Sequence, residues 1–183
     1  MAIYVKGTND YPVAPEGQHL AVCCDVLELH DVPTQYGPKT KVRIYFQLEA
    51  VQEDGRPFVA ARTFGATLSE LGALRPFLES WRGSRFTSEE LERFDLEVLI
   101  GVNAVIQLIH VERDGKTYAN VNSIMRPAKG TSLLAIDPKY IRMQDRRGDD
   151  YVAPRADDPS VMVAPTPEEQ YGELPEPEDD LPF

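Results

Sequence analysis

Lys39, Lys41 and Arg43 recur at every second position, and Tyr45 follows at the same spacing. On an extended strand residues i and i+2 share a face, so this pattern lines up three cations and an aromatic ring on one side. Cations in file track a phosphate backbone, and a flat ring gives an unpaired base a surface to stack on, worth about 1–3 kcal/mol per base. The chemistry implied is stoichiometric binding of a single strand, with no covalent step. Arg62 and Phe64, two apart in the next apolar run, extend this face if the strand carrying them pairs in the expected register. Tyr36 precedes it, and Arg113, Lys116 and Tyr118 surround a later Asp-Gly turn that would flank the groove. A merely solvated strand face also carries Lys and Arg, and aromatics pair across strands for structural reasons; Phe64 suits a core as well as a groove.

Other chemistries find little to work with. His19, His30 and His110 are scattered, and Cys23 and Cys24 are adjacent, which on a strand sends them to opposite faces and argues against a disulfide. No zinc-ligand spacing, nucleophile with a base, or phosphate loop occurs. Neither an enzyme nor a cofactor, metal or small-molecule substrate is expected. Free cysteines fit a reducing compartment, and no apolar run approaches the roughly 18 residues needed to span a bilayer, so a cytoplasmic protein is expected.

The elements that must hold these residues are short and sharply bounded. Leu20, Val22, Cys24 and Val26 alternate with polar or small residues before Leu27 and Leu29 take over the apolar phase, which predicts a first strand with a bulge. Val42, Ile44, Phe46 and Leu48 form the apolar face of a second strand opposite the cationic one, and a turn at Glu53–Arg56 leads to a third over residues 57–64. Thr67–Glu70 has capping-box form, with Leu71, Leu74, Leu78 and Trp81 following at helical spacing; Pro76 should kink or restart that helix. Trp81 reads as a core residue, and His110 as a structural histidine. Thr87–Glu90 offers a second capping box. Residues 102–111 and 117–125 make two further strands around a tight turn at Arg113–Lys116. Three strands, a helix and two strands is the order of the OB-fold, a small five-stranded Greek-key barrel that binds oligonucleotides on its second and third strands.

Charge divides the chain. Residues 1–148 carry 18 cations against 19 carboxylates, whereas residues 149–183 carry Arg155 against 11 carboxylates. The acidic balance therefore belongs to the C-terminal part and leaves the preceding domain free to gather cations on one face. A domain over residues 1–130, a weakly basic connector over 131–148 containing Lys139, Arg142, Arg146 and Arg147, and an acidic tail over 149–183 are expected. Seven prolines and the self-repelling charge predict a disordered, extended tail. It ends in Glu178, Asp179, Asp180, Leu181, Pro182 and Phe183, acids followed by an apolar aromatic end, the form of a docking peptide for a receptor with a basic rim.

Residues 178–183 resemble the acidic C-terminal tip of bacterial and phage single-stranded DNA-binding proteins, which closes in Pro-Phe. Residues 7–130 are similar to phage proteins of that kind at Glu79-Ser80-Trp81-Arg82-Gly83, at Phe94-Asp95-Leu96-Glu97 with Leu99-Ile100-Gly101, and at Gly115-Lys116-Thr117-Tyr118-Ala119-Asn120. The resemblance implies an OB-fold that coats single-stranded DNA during replication, recombination and repair, and a tip that recruits partner proteins. The chain has no long Gly/Gln-rich linker and its domain departs from the bacterial core, so no oligomeric state carries over. A recombination mediator or annealing protein, and a barrel whose ligand is protein, are the alternatives.

Overall fold

The computed structural model describes residues 12–146. The expected disordered tail and the docking residues 178–183 lie outside the described residues. Five strands, β1 (Gly17–Thr34), β2 (Gly37–Val51), β3 (Pro57–Gly65), β4 (Asn103–Arg113) and β5 (Lys116–Met125), form one antiparallel sheet in the order β3-β2-β1-β4-β5. Helices α1 (Leu74–Arg82) and α2 (Ser88–Glu92) and a 3₁₀ turn at Leu96–Leu99 fill the connection between β3 and β4. The described part of the chain is thus mainly β, in the element order read from the sequence. None of its helices is long and apolar enough to cross a membrane.

Val42, Ile44, Phe46 and Leu48 of β2 are all buried in the core, as their alternation requires. Helix α1 covers them with Leu74, Phe77, Leu78 and Trp81. The Phe46 and Trp81 rings lie 5.4 Å apart, Phe64 and Phe77 4.7 Å apart, and the Trp81 indole donates from Nε1 to the Asn103 carbonyl at 2.9 Å. Trp81 is a core residue, as expected. Helix α1 begins seven residues after Thr67, whose hydroxyl accepts a bond from the Ser69 amide within a local turn. Pro76 explains the delay: lacking an N–H, it is tolerated only in the first turn of a helix, and there it stands third. The second capping box forms as read, with Thr87 Oγ1 accepting from the Glu90 amide and Glu90 Oε2 accepting from the Thr87 amide.

Strand β1 is bulged as expected, but not where the apolar phase changes at Val26–Leu27: its register shifts fall between Cys23 and Asp25 and between Leu29 and Val32. Its core-facing residues are Ala21, Cys23 and then Val26, so the apolar phase of the first half is opposite to the one read from Leu20, Val22 and Cys24. Val22 and Cys24 are equally buried on the other face. With both faces covered, alternation carries no information about which is the core. At the β4–β5 turn Asp114 and Gly115 both take positive φ, 52° and 74°, the backbone of a tight hairpin for which Asp-Gly is suited.

The two edge strands of the sheet are linked by one side chain. Arg62 of β3 donates from Nη1 to the carbonyls of Val121 and Asn122 on β5, at 3.1 and 3.0 Å. Its guanidinium also lies over the rings of Phe64 and Phe77, 5.1 and 5.3 Å from their centroids. One side chain thereby bridges two edge strands that do not pair through their backbones.

Candidate nucleic-acid interface

Strand alternation places Lys39, Lys41, Arg43 and Tyr45 on the outer face of β2, opposite Val42, Ile44 and Phe46. The register of β3 then decides what joins them. Arg43 pairs with Thr63 and Tyr45 with Ala61, whereas Val42 pairs with Phe64 and Ile44 with Arg62. Cross-strand partners share a face, so Arg62 and Phe64 sit on the core side and cannot extend the cationic row. Phe64 is 2% exposed and belongs to the core.

The row is open at one end only. Tyr36 is 61% exposed at the tip of the β1–β2 ribbon, with the Lys39 ammonium 5.3 Å from its ring centroid. Lys39 is exposed and Lys41 half-buried. Arg43, at 9% exposure, donates from Nε to Thr63 Oγ1 at 2.7 Å and makes no ion pair with a described residue. Tyr45 is 2% exposed, and its hydroxyl finds no hydrogen-bond partner among the described residues. Burial, the largest effect, raises its phenol above the ordinary value, with the nearby Arg43 guanidinium opposing. The expectation of an accessible ring at Tyr45 is therefore corrected: something covers it.

The cover is the segment expected to act as a connector. Asn103 on β4 and Leu134 exchange two bonds: the Leu134 amide donates to Asn103 Oδ1 at 2.8 Å, and Asn103 Nδ2 donates to the Leu134 carbonyl at 2.9 Å. The Asp137 amide donates to Gln47 Oε1 on β2 at 2.9 Å. Val22 of β1 pairs with both Gln47 and Asn103, so the segment crosses three strands at one level. It then meets Asp25, which is 0% exposed and stands opposite Tyr45. Asp25 accepts from the Arg142 Nε at 3.0 Å, the Met143 amide at 2.6 Å, the Tyr140 hydroxyl at 3.4 Å and its neighbour Val26 at 2.9 Å. Arg142 further clasps Glu97 with both terminal nitrogens, at 2.9 and 2.6 Å, and the two carboxylates raise its already high pKa. Residues 131–146 thus form a strap lying on the sheet.

The strap is held by polar contacts. None of residues 131–146 is buried, and Leu133 and Ile141 are largely exposed. Bonds of this kind contribute about 0.5–1.5 kcal/mol each, and about 1.5–3 where a charge takes part. Against them stands the guanidinium of Arg43, buried against the neutral Thr63 hydroxyl and the Tyr45 phenol.

The remaining expected site residues lie elsewhere. Arg113 and Lys116 are exposed cross-strand partners at the β4–β5 turn. Tyr118 is buried opposite Val111 and offers no open ring. Since β4 pairs with Gly17–Val22 while the β1–β2 tip follows Thr34, this turn and Tyr36 extend from opposite ends of β1. His110 bonds through Nε2 with the Ala14 carbonyl at 2.8 Å, a structural role as expected. Asp25, Tyr140 and Arg142 escaped sequence reasoning as a group; the available signal was a carboxylate between Cys24 and Val26 in an otherwise apolar run. Among the described residues no His, Cys, Asp and Glu cluster has the arrangement to hold a metal ion. A cavity of about 250 Å³ between α1 and the α2 region is walled mainly by Leu78, Trp81, Phe86, Phe94 and Leu99. Its lining holds no carboxylate, histidine or thiol for acid–base or nucleophilic chemistry. The chain matches no protein-family model and no curated protein.

Proposed function

We propose that the chain is an OB-fold protein of the single-stranded DNA-binding kind, which coats unpaired strands without sequence preference and recruits partner proteins through residues 178–183. The observation that carries the reading is the file of Lys39, Lys41, Arg43 and Tyr45 on the outer face of β2. Five antiparallel strands whose edges Arg62 links, with the helices between β3 and β4, support the barrel. Phosphates are met first by Lys39 and Lys41, a base stacks on Tyr36, and affinity falls steeply with salt as counterions are released. The test is fluorescence anisotropy with labelled oligo-dT and with a duplex of equal length across a salt series, for the wild type, Lys39→Ala/Lys41→Ala and Tyr36→Ala. Preference for the single strand, with the double variant showing a shallower salt slope, is expected. Equal or absent binding to both ligands would remove the proposal.

The roofing of Arg43 and Tyr45 by the strap favours a second reading, a barrel that serves as a protein-interaction module. That reading requires no retention of oligo-dT at any salt concentration.

A further inference from the structure

We infer that residues 131–146 are a displaceable strap, latched on Asp25 through Arg142, that closes the outer face of β2 and lifts when a single strand occupies it. The inference rests on the nucleic-acid reading and adds the regulation of that site. Three observations combine. First, the strap lies against the face that bears the cationic row, bonding Asn103, Gln47 and Asp25 in turn. Second, its own residues are at most half-buried and its bonds to the sheet are ones that water can replace, while the Tyr45 ring it uncovers is a surface that a base can cover in its place. Third, the closed state leaves a buried cation beneath it poorly served: the Arg43 guanidinium has only the neutral Thr63 hydroxyl and the neighbouring Tyr45 phenol where a phosphate would suit it.

The latch is the strong part. Arg142 is shared between Asp25 and Glu97, and the Met143 amide closes on the same buried carboxylate. Releasing the strap bares Asp25 beside Tyr45, and its charge repels a phosphate there. The backbone of an incoming strand therefore follows Lys39, Lys41 and Arg43, with Tyr45 turned to the base. Apparent affinity is reduced by the fraction of molecules that are open, so a weaker latch gives tighter binding.

The experiment uses the full chain and labelled oligo-dT. Hydrogen exchange is followed at the amides of Leu134, Asp137 and Met143, which bond Asn103, Gln47 and Asp25, with and without saturating oligo-dT. Faster exchange at all three on binding is expected, together with roughly tenfold tighter binding by Arg142→Gln. Unchanged or slower exchange at these amides in a saturated complex would overturn the strap while leaving the binding proposal intact. Failure of both wild type and Arg142→Gln to bind would remove the two together. Where Arg142→Gln compromises folding, exchange in the wild type decides.

Discussion

Ile44 and Arg62 face each other across β2 and β3, and this pairing puts a guanidinium on the same side of the sheet as Phe46 and Phe77. A cation in that position is retained because its donors meet two β5 carbonyls and its plane covers two rings. It ties the two edge strands together from the core side.

Arg62→Met should therefore lower stability by about 1.5–3 kcal/mol, the value of bonds from a charged donor, as measured by urea unfolding. Binding of oligo-dT by the folded variant should match the wild type. A loss of affinity at unchanged stability would return Arg62 to the groove.

Phe46 sits at the centre of the core, touching Trp81 and Phe77. Truncation to Ala removes its transfer free energy and leaves a cavity that the sheet and α1 cannot collapse to fill. A loss of about 3–5 kcal/mol in urea or thermal unfolding is expected; a loss below about 1 kcal/mol would mean that the ring does not stand where the structure has it.

Acid should weaken the α2 corner. The Arg82 side chain, foremost, and the Thr87 amide hold the Glu90 carboxyl at about 2, from an ordinary 4.5. Because the folded value is the lower one, the stabilisation is complete above pH 4.5 and fades as pH falls from there to about 2. The melting temperature of Glu90→Gln should lie below that of the wild type at neutral pH and converge with it through this window. Parallel curves down to acid pH would contradict the assignment. Thr87→Ala, which removes the other half of the box, should cost about 0.5–2 kcal/mol at neutral pH.

Both thiols should be inert in the native protein. Burial pushes Cys23 and Cys24 up, Cys24 to about 12, so that little thiolate forms near neutrality. An aromatic disulfide reagent at mildly alkaline pH should react with neither thiol until denaturant is added, and then with both. Prompt reaction of one in the native state would show that the strap side of β1 opens readily, since Cys24 lies there beside Tyr140.

Much of the fold was legible in the sequence because its signals are local. The alternation in β2, the Thr87 capping box and the Asp114-Gly115 turn each depend on residues a few positions apart, and each forms as the local pattern dictates. The face shared by Lys39, Lys41, Arg43 and Tyr45 follows from the same periodicity. Which residues of β3 join that face did not follow. The Gln47–Val59 and Val51–Pro57 pairings on either side of a register shift share one parity, and that parity, which the spacing of the two apolar runs leaves open, decides whether Arg62 points to solvent or to the core.

The sequence by itself determined the strands, their order and, outside the bulged β1, which side chains of each share a face, since these rest on backbone period and turn chemistry. Tertiary structure alone decided that Arg62 links the two edge strands, that Tyr45 is roofed, and that a segment with the composition of a linker lies across three strands. The reason is distance along the chain. Arg142 and Asp25 are separated by 117 positions, and nothing in the neighbourhood of either specifies the other until the fold brings them together.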